Sequence, residues 1–167
     1  MIISGQRELI IEAPNFRKTS YAALRELSVA CILTKTDRRA MADHIQAADR
    51  IGTGIHLMLA RLLSKKLLYS AVVQSDAICP TIAIGGSRVT YAIDDLAPQT
   101  GRLFQNDAYA CGQNGIHVAT LLGATLIGMK AGSHAPFLQA DGSFRKLRLI
   151  SVDYHPNTTN GAAQNQD

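Results

Sequence analysis

The feature that most restricts this chain is a pair of glycines two residues apart, Gly52-Thr53-Gly54, set between two runs of helical periodicity. Ahead of the break, Met41, Ile45 and Ala48 recur at three- and four-residue intervals, with Arg38, Arg39, Asp43 and Gln46 elsewhere around the helix. Thr36-Asp37 offers N-cap chemistry for this run, with a carboxylate at the positive end of the helix dipole. Beyond the break, Ile55, Leu59, Leu62, Leu63 and Leu67 line one side of a second run, leaving Arg61, Lys65 and Lys66 for the other side or the edges. Glycine in a helix interior costs about 1 kcal/mol relative to alanine, so two within three residues end one helix and let another begin. Short amphipathic helices need tertiary partners, and the nearest partner of each is the other. The pattern predicts an antiparallel helical hairpin over residues 35–72, a short coiled coil.

Residues 73–83, with Pro80, read as a linker into a second region. From residue 84 the period shifts toward two. Arg88-Val89-Thr90-Tyr91-Ala92-Ile93 alternates and ends in the turn signal Asp94-Asp95. Gly115-Ile116-His117-Val118 is a second short strand, residues 121–129 a turn or two of helix closed by Lys130-Ala131-Gly132, and residues 135–138 another strand. Asp141-Gly142 is a hairpin turn, and residues 146–154 form a long alternating strand. The polar tail 157–167 is expected to be disordered. Within residues 1–34, Glu8-Leu9-Ile10-Ile11 suits a short strand and residues 20–30 a helix, separated by Pro14-Asn15; this extension is assigned no role. The class is α+β.

Composition bounds the function. Hydrophobic residues at 47% and charged residues at 18% suit a globular chain. A net charge of +4 permits an acidic partner without requiring nucleic acid. Three widely spaced cysteines, Cys31, Cys79 and Cys111, form no C-x-x-C pair, which argues for inert thiols in a reducing compartment. No apolar run is long enough to span a bilayer, and the start lacks a signal-peptide pattern, so a cytoplasmic location with no membrane contact is expected. His44, His56, His117, His134 and His155 show no metal-ligand spacing, and Gly85-Gly86-Ser87 lacks the Gly-Lys-Ser/Thr ending of a phosphate loop. No metal, cofactor or small-molecule ligand is expected.

The segment Val118-Ala119-Thr120-Leu121-Leu122-Gly123-Ala124-Thr125-Leu126-Ile127-Gly128-Met129-Lys130-Ala131-Gly132 resembles the stretch of Gre-type (GreA/GreB) elongation factors that reads small-polar, Pro-Leu-Gly, an apolar pair, then Gly-x-x-x-Gly-Asp. Residues 141–154 are similar to that family's closing hairpin, and Gly86-Ser87-Arg88-Val89-Thr90-Tyr91 to the strand that opens the same domain. The departures are Leu121 in place of Pro and Ser133 in place of Asp. On physical grounds, Gly123 and Gly128 would let a short helix approach the sheet closely, while Gly132 and Gly142 suit tight turns. Leu33-Thr34-Lys35-Thr36-Asp37 and the stubby hairpin are most similar to the nucleoside diphosphate kinase regulator (Rnk) branch. The resemblance implies an FKBP-like β-domain over residues 84–156, with one short helix. It further implies core RNA polymerase as partner, docking at the rim of the secondary channel with the hairpin pointing inward, and nucleic acid reached only through polymerase.

Gre factors carry two carboxylates at the hairpin tip, which help hold a catalytic magnesium ion in the polymerase. Arg50-Ile51-Gly52-Thr53-Gly54-Ile55-His56-Leu57 contains none, and Asp49 stands alone beside an arginine. One carboxylate beside a cation is a poor ligand set for a hard metal. The expectation is a non-enzymatic regulator that does not stimulate transcript cleavage and competes with factors that do. Expected contacts are Arg50, Thr53, His56, Arg61, Lys65 and Lys66 on the hairpin and Met129 and Lys130 on the β-domain. Six Arg or Lys against three Asp between residues 36 and 70 give a local +3, which is either a solvated face or a match to acidic channel walls. Two other functions stay open. A peptidyl-prolyl isomerase would need an aromatic-floored pocket in a chain without Trp, and a DNA-binding protein would show steep salt dependence.

Overall fold

The computed structural model describes residues 30–105 and 114–154, together with Ala22, Arg25 and Ser28, which are helical. The expected strand at residues 8–11 and the tail 157–167 lie outside the described residues.

Strand β1 (Ile32–Thr34) runs directly into helix α1 (Lys35–Ile51). The N-cap is Thr34, two residues upstream of the expected position. Its backbone is extended, and its hydroxyl accepts the Asp37 amide at 3.0 Å. The chain leaves a strand at Thr34, so the cap forms there and Thr36 becomes an exposed helical residue. At the other end Gly52 takes a left-handed conformation, φ +68°, and donates its amide to the Ala48 carbonyl at 3.0 Å. That conformation strains any residue with a Cβ, which is why the helix stops at the first glycine. Helix α2 (Gly54–Tyr69) follows, packs against α1, and leads into β2 (Ala71–Val73). Strands β1 and β2 pair in parallel, Leu33 opposite Val72, and tie the two ends of the hairpin together.

The expected linker 73–83 is packed structure. After a short 3-10 turn (Ser75–Ala77), Ile78, Ile82 and Ile84 bury together with Ile32 and Val73 against them. Ile82 also bridges to Lys130. Strands β3 (Arg88–Ile93), β4 (Gln99–Phe104), β5 (Gly115–His117), β6 (His134–Leu138) and β7 (Phe144–Tyr154) form one sheet in the order β5-β4-β3-β7-β6. All its pairs are antiparallel except β4–β5. β7 is shifted in register against β3 at two points, which bends the long strand. The α+β class is as expected from the sequence, with two helices followed by a mainly antiparallel sheet.

Helix α3 (Leu121–Leu126) is capped by the Thr120 hydroxyl, which accepts the Gly123 amide at 3.0 Å. A Cβ on Gly123 would overlap the backbone carbonyl of His117, so the close approach read from the sequence is real and leaves room for no other residue. Met41, Leu59, Leu62 and Leu63 of the hairpin share a single core with Val89, Leu103, Leu126, Leu147 and Leu149 of the body. The hairpin base is therefore part of the domain core. Each fully buried leucine there contributes on the order of 1.5–3 kcal/mol.

Candidate functional site

The hairpin divides into an exposed tip and a buried base. At the tip, Ile51, Ile55 and Leu57 are 54%, 47% and 36% exposed. Large apolar side chains this open, next to one another at the end of two helices, form a contact patch rather than a core. Arg50 and Thr53 are exposed beside them and His56 is half-buried. Farther down α2, Arg61 is exposed and Lys65 is half-buried, with its ammonium 5.4 Å from the Tyr69 ring centroid. Arg25 lies over the same ring at 5.2 Å.

Two of the expected contact residues are placed elsewhere. Lys66 is completely buried, and its ammonium donates to the carbonyls of Thr125, at 2.6 Å, and Ile127. It falls on the same stripe as Leu59, Leu62 and Leu63, at the i+7, i+4 and i+3 positions of that stripe, so helix geometry turns it inward. Burial pulls it below the usual lysine range, with nearby Cys31 acting in the opposite direction. Met129 is 2% exposed and belongs to the core, because the turn after α3 folds it beneath the sheet. Its neighbour Lys130 is exposed. Gly128, Gly132 and Gly142 all adopt positive φ, and at Gly128 an added Cβ would also press on the Ile32 carbonyl of β1 at 3.0 Å.

The base holds groups that sequence reasoning missed. Asp37 is buried in the first turn of α1, and its carboxylate accepts the Gly85 amide at 3.1 Å and the Gln105 side-chain amide. Farther along the same face of α1, His44 Nε2–H donates to the Gln105 carbonyl at 2.6 Å. The His44 ring meets His117 edge-on at 5.0 Å. Helix α1 thus grips Gln105 by both its side chain and its backbone. Burial pushes the Asp37 carboxyl from 3.8 to about 6, and hydrogen bonds from Thr34 and Gly85 pull the other way. One buried ionisable side chain on each helix, Asp37 on α1 and Lys66 on α2, bolts the hairpin to the body. No signal short of the tertiary contacts marks Asp37; the inward position of Lys66 was legible in the helical spacing.

Among the described residues, no three His, Cys, Asp or Glu side chains gather where they could hold a metal ion, and no helix is long and apolar enough to cross a membrane. A groove of about 510 Å³ opens beside β4 and β5, lined by Tyr91, Gln99, Asn114, His117, Thr120 and Leu122 among others. Tyr91 donates its hydroxyl to Gln99 at 3.0 Å. One tyrosine engaged with an amide does not make the aromatic floor that a prolyl pocket requires.

No protein-family model matches the chain, and no curated protein matches it. Solved structures do. A prokaryotic transcription elongation factor GreA/GreB from Nitrosomonas europaea superposes with a TM-score of 0.55 at 16% identity, covering 74% of this chain and 99% of that one. GreA factor homolog 1 (Gfh1) of Thermus thermophilus covers 74% of this chain and 99% of its own at 16% identity, with a TM-score of 0.36. Gfh1 of Thermus aquaticus gives 73%, 97% and 15%, with the same TM-score. The first of these shows that this chain has the GreA-like fold, a helical pair joined to a mainly antiparallel sheet.

Proposed function

We propose that the chain is a non-enzymatic transcription regulator that binds core RNA polymerase at its secondary channel, hairpin inward. It works by occupancy: the hairpin fills space that a cleavage factor would otherwise use, and no bond is made or broken. What carries this reading is the combination of a GreA-like fold with a tip that is apolar and free of carboxylates, Arg50-Ile51-Gly52-Thr53-Gly54-Ile55. A rigid mount supports it. A plug must transmit binding energy from body to tip without bending, and Asp37, Lys66 and the shared leucine core stiffen the joint. The short hairpin and its tip favour the nucleoside diphosphate kinase regulator branch within this fold, and a protein acting on polymerase acts in the cytoplasm.

Arg50, Thr53 and His56 are the tip contacts, Arg61 and Lys65 the flank, and Lys130 the remaining body contact. The test has two arms. The protein should co-elute with core polymerase and be displaced by a Gre factor, and it should leave transcript cleavage by backtracked polymerase unstimulated. Cleavage that depends on Asp49 would overturn the proposal.

A further inference from the structure

Among the described residues, no carboxylate answers the buried charge of Lys66. Two of the three N–H donors of its ammonium go to the Thr125 and Ile127 carbonyls. Its other partner is the side chain of Cys31, which is itself 1% exposed. One stretch of chain holds both groups. The Ile127 carbonyl takes Lys66, and the next residue, Gly128, lies so near Cys31 that an added Cβ would stand 3.2 Å from the cysteine Cβ. The backbone around the thiol is pinned as well. The Ile32 amide donates to the Gly128 carbonyl at 3.0 Å, and the Cys31 carbonyl accepts the Ala71 amide at 3.2 Å.

A buried charge is costly unless it is paired, and this site offers two neutral carbonyls and a thiol. A single proton therefore sets the state of the pair, either thiol beside amine or thiolate beside ammonium. Burial, which draws Lys66 below the usual lysine range, makes the amine accessible. The thiolate is the form that reacts with peroxide, and the sulfenic acid made from it condenses with a neighbouring nitrogen. Both reactants for a sulfur–nitrogen bond are thus held side by side in the core.

We propose that Cys31 and Lys66 form a redox-controlled covalent lock, a sulfenamide bond between Sγ and Nζ made under hydrogen peroxide. The Cys31 thiolate attacks one peroxide oxygen, giving a sulfenic acid and hydroxide, and the Lys66 ammonium protonates that hydroxide to water. The Lys66 amine then attacks Sγ, the S–O bond breaks, and the oxygen leaves as a second water with one proton from the nitrogen. Sulfur loses two electrons and the peroxide gains them. The oxidant is a small peroxide rather than a bulky disulfide because the thiol is buried and is reached only through local openings. The bond would tie the entry of β1 to α2, where hydrogen bonds alone now hold Lys66. The lock lies outside the proposed function and does not depend on it.

The test is mass spectrometry of the full chain carrying Cys79→Ser and Cys111→Ser, which leaves Cys31 as the sole thiol and removes any internal disulfide. After hydrogen peroxide at neutral pH the chain should be lighter by about 2 Da, and dithiothreitol should restore the original mass. Trypsin should yield a single linked species joining residues 26–35 to a peptide left uncut after Lys66. The oxidised chain should also unfold at a higher urea concentration than the reduced one, because the link closes a loop in the unfolded state. Adding Lys66→Met should abolish the loss and leave Cys31 as a sulfenic or sulfinic acid, heavier by about 16 or 32 Da. If that variant fails to fold, the linked peptide from the parent chain decides the matter. An unreacted Cys31, oxygen adducts on Cys31 without the linked peptide, or a loss of mass that survives Lys66→Met overturns the proposal.

Discussion

Replacing Asp37 by Asn tests whether the hairpin is bolted to the body through a buried carboxylate. In the folded protein burial raises the Asp37 pKa from 3.8 to about 6. The folded state therefore holds the proton more tightly than the unfolded chain does. Its contribution to stability is fully present below pH 3.8 and is lost as the pH climbs through about 6. At about 1.4 kcal/mol per pKa unit the difference is about 3 kcal/mol, spread between about pH 4 and 6 and complete by pH 7. The substituted amide would keep an acceptor for the Gly85 N–H, and a turn of the Gln105 amide can restore the other bond. Asp37→Asn should therefore resemble the protonated wild type at every pH. Urea unfolding of both proteins from pH 4.5 to 8 should show the wild type falling behind the variant by up to about 3 kcal/mol at the alkaline end. At pH 4.5 the gap should have narrowed to about 1 kcal/mol, closing fully only below pH 3.8. A constant gap across that range, or a wild type that gains on the variant as pH rises, would refute the reasoning.

Other expectations follow from single contacts. Lys66→Ala leaves the Thr125 and Ile127 carbonyls without a donor and opens a cavity, so it should cost about 3 kcal/mol or more in urea unfolding. Lys66→Met, which fills the space, should cost about half as much; equal and negligible costs would show that the ammonium is not held there. Gly123→Ala should destabilise by about 3 kcal/mol or prevent folding, because the added methyl meets backbone rather than a mobile side chain. Under the proposed function, Arg61→Glu with Lys65→Glu should weaken polymerase binding about tenfold at low salt and progressively less at high salt, read by co-elution titration. Unchanged affinity at low salt would remove the basic flank from the interface.

The sequence showed the hairpin well because two signals agreed on it, periodicity on either side and a glycine whose left-handed conformation ends α1. Where residue type and position disagreed, position won. Lys66 looks like surface by chemistry, but its spacing from Leu59, Leu62 and Leu63 places it in the core. Residues 73–83 looked like a linker because of Pro80, although Ile78, Ile82 and Ile84 recur at even intervals and bury together. Strand β4 carried little pattern, since Gln99-Thr100-Gly101-Arg102 has no large apolar residue and its inward positions are filled by Gly101 and Leu103. The β1–β2 pair joins three-residue strands far apart in the chain, and no local signal marks such a pairing. Asp37 was legible as a helix-start residue and illegible as a joint, because Gly85 and Gln105 reach it only through the tertiary fold.

A photoreactive side chain in place of Thr53, between the two glycines of the tip, reports on the plug most directly. Irradiation of the complex with core polymerase should attach the tip to segments lining the inside of the secondary channel, and excess Gre factor should abolish the product. Attachment to the outer surface of polymerase, or a product that survives the competitor, would contradict the account.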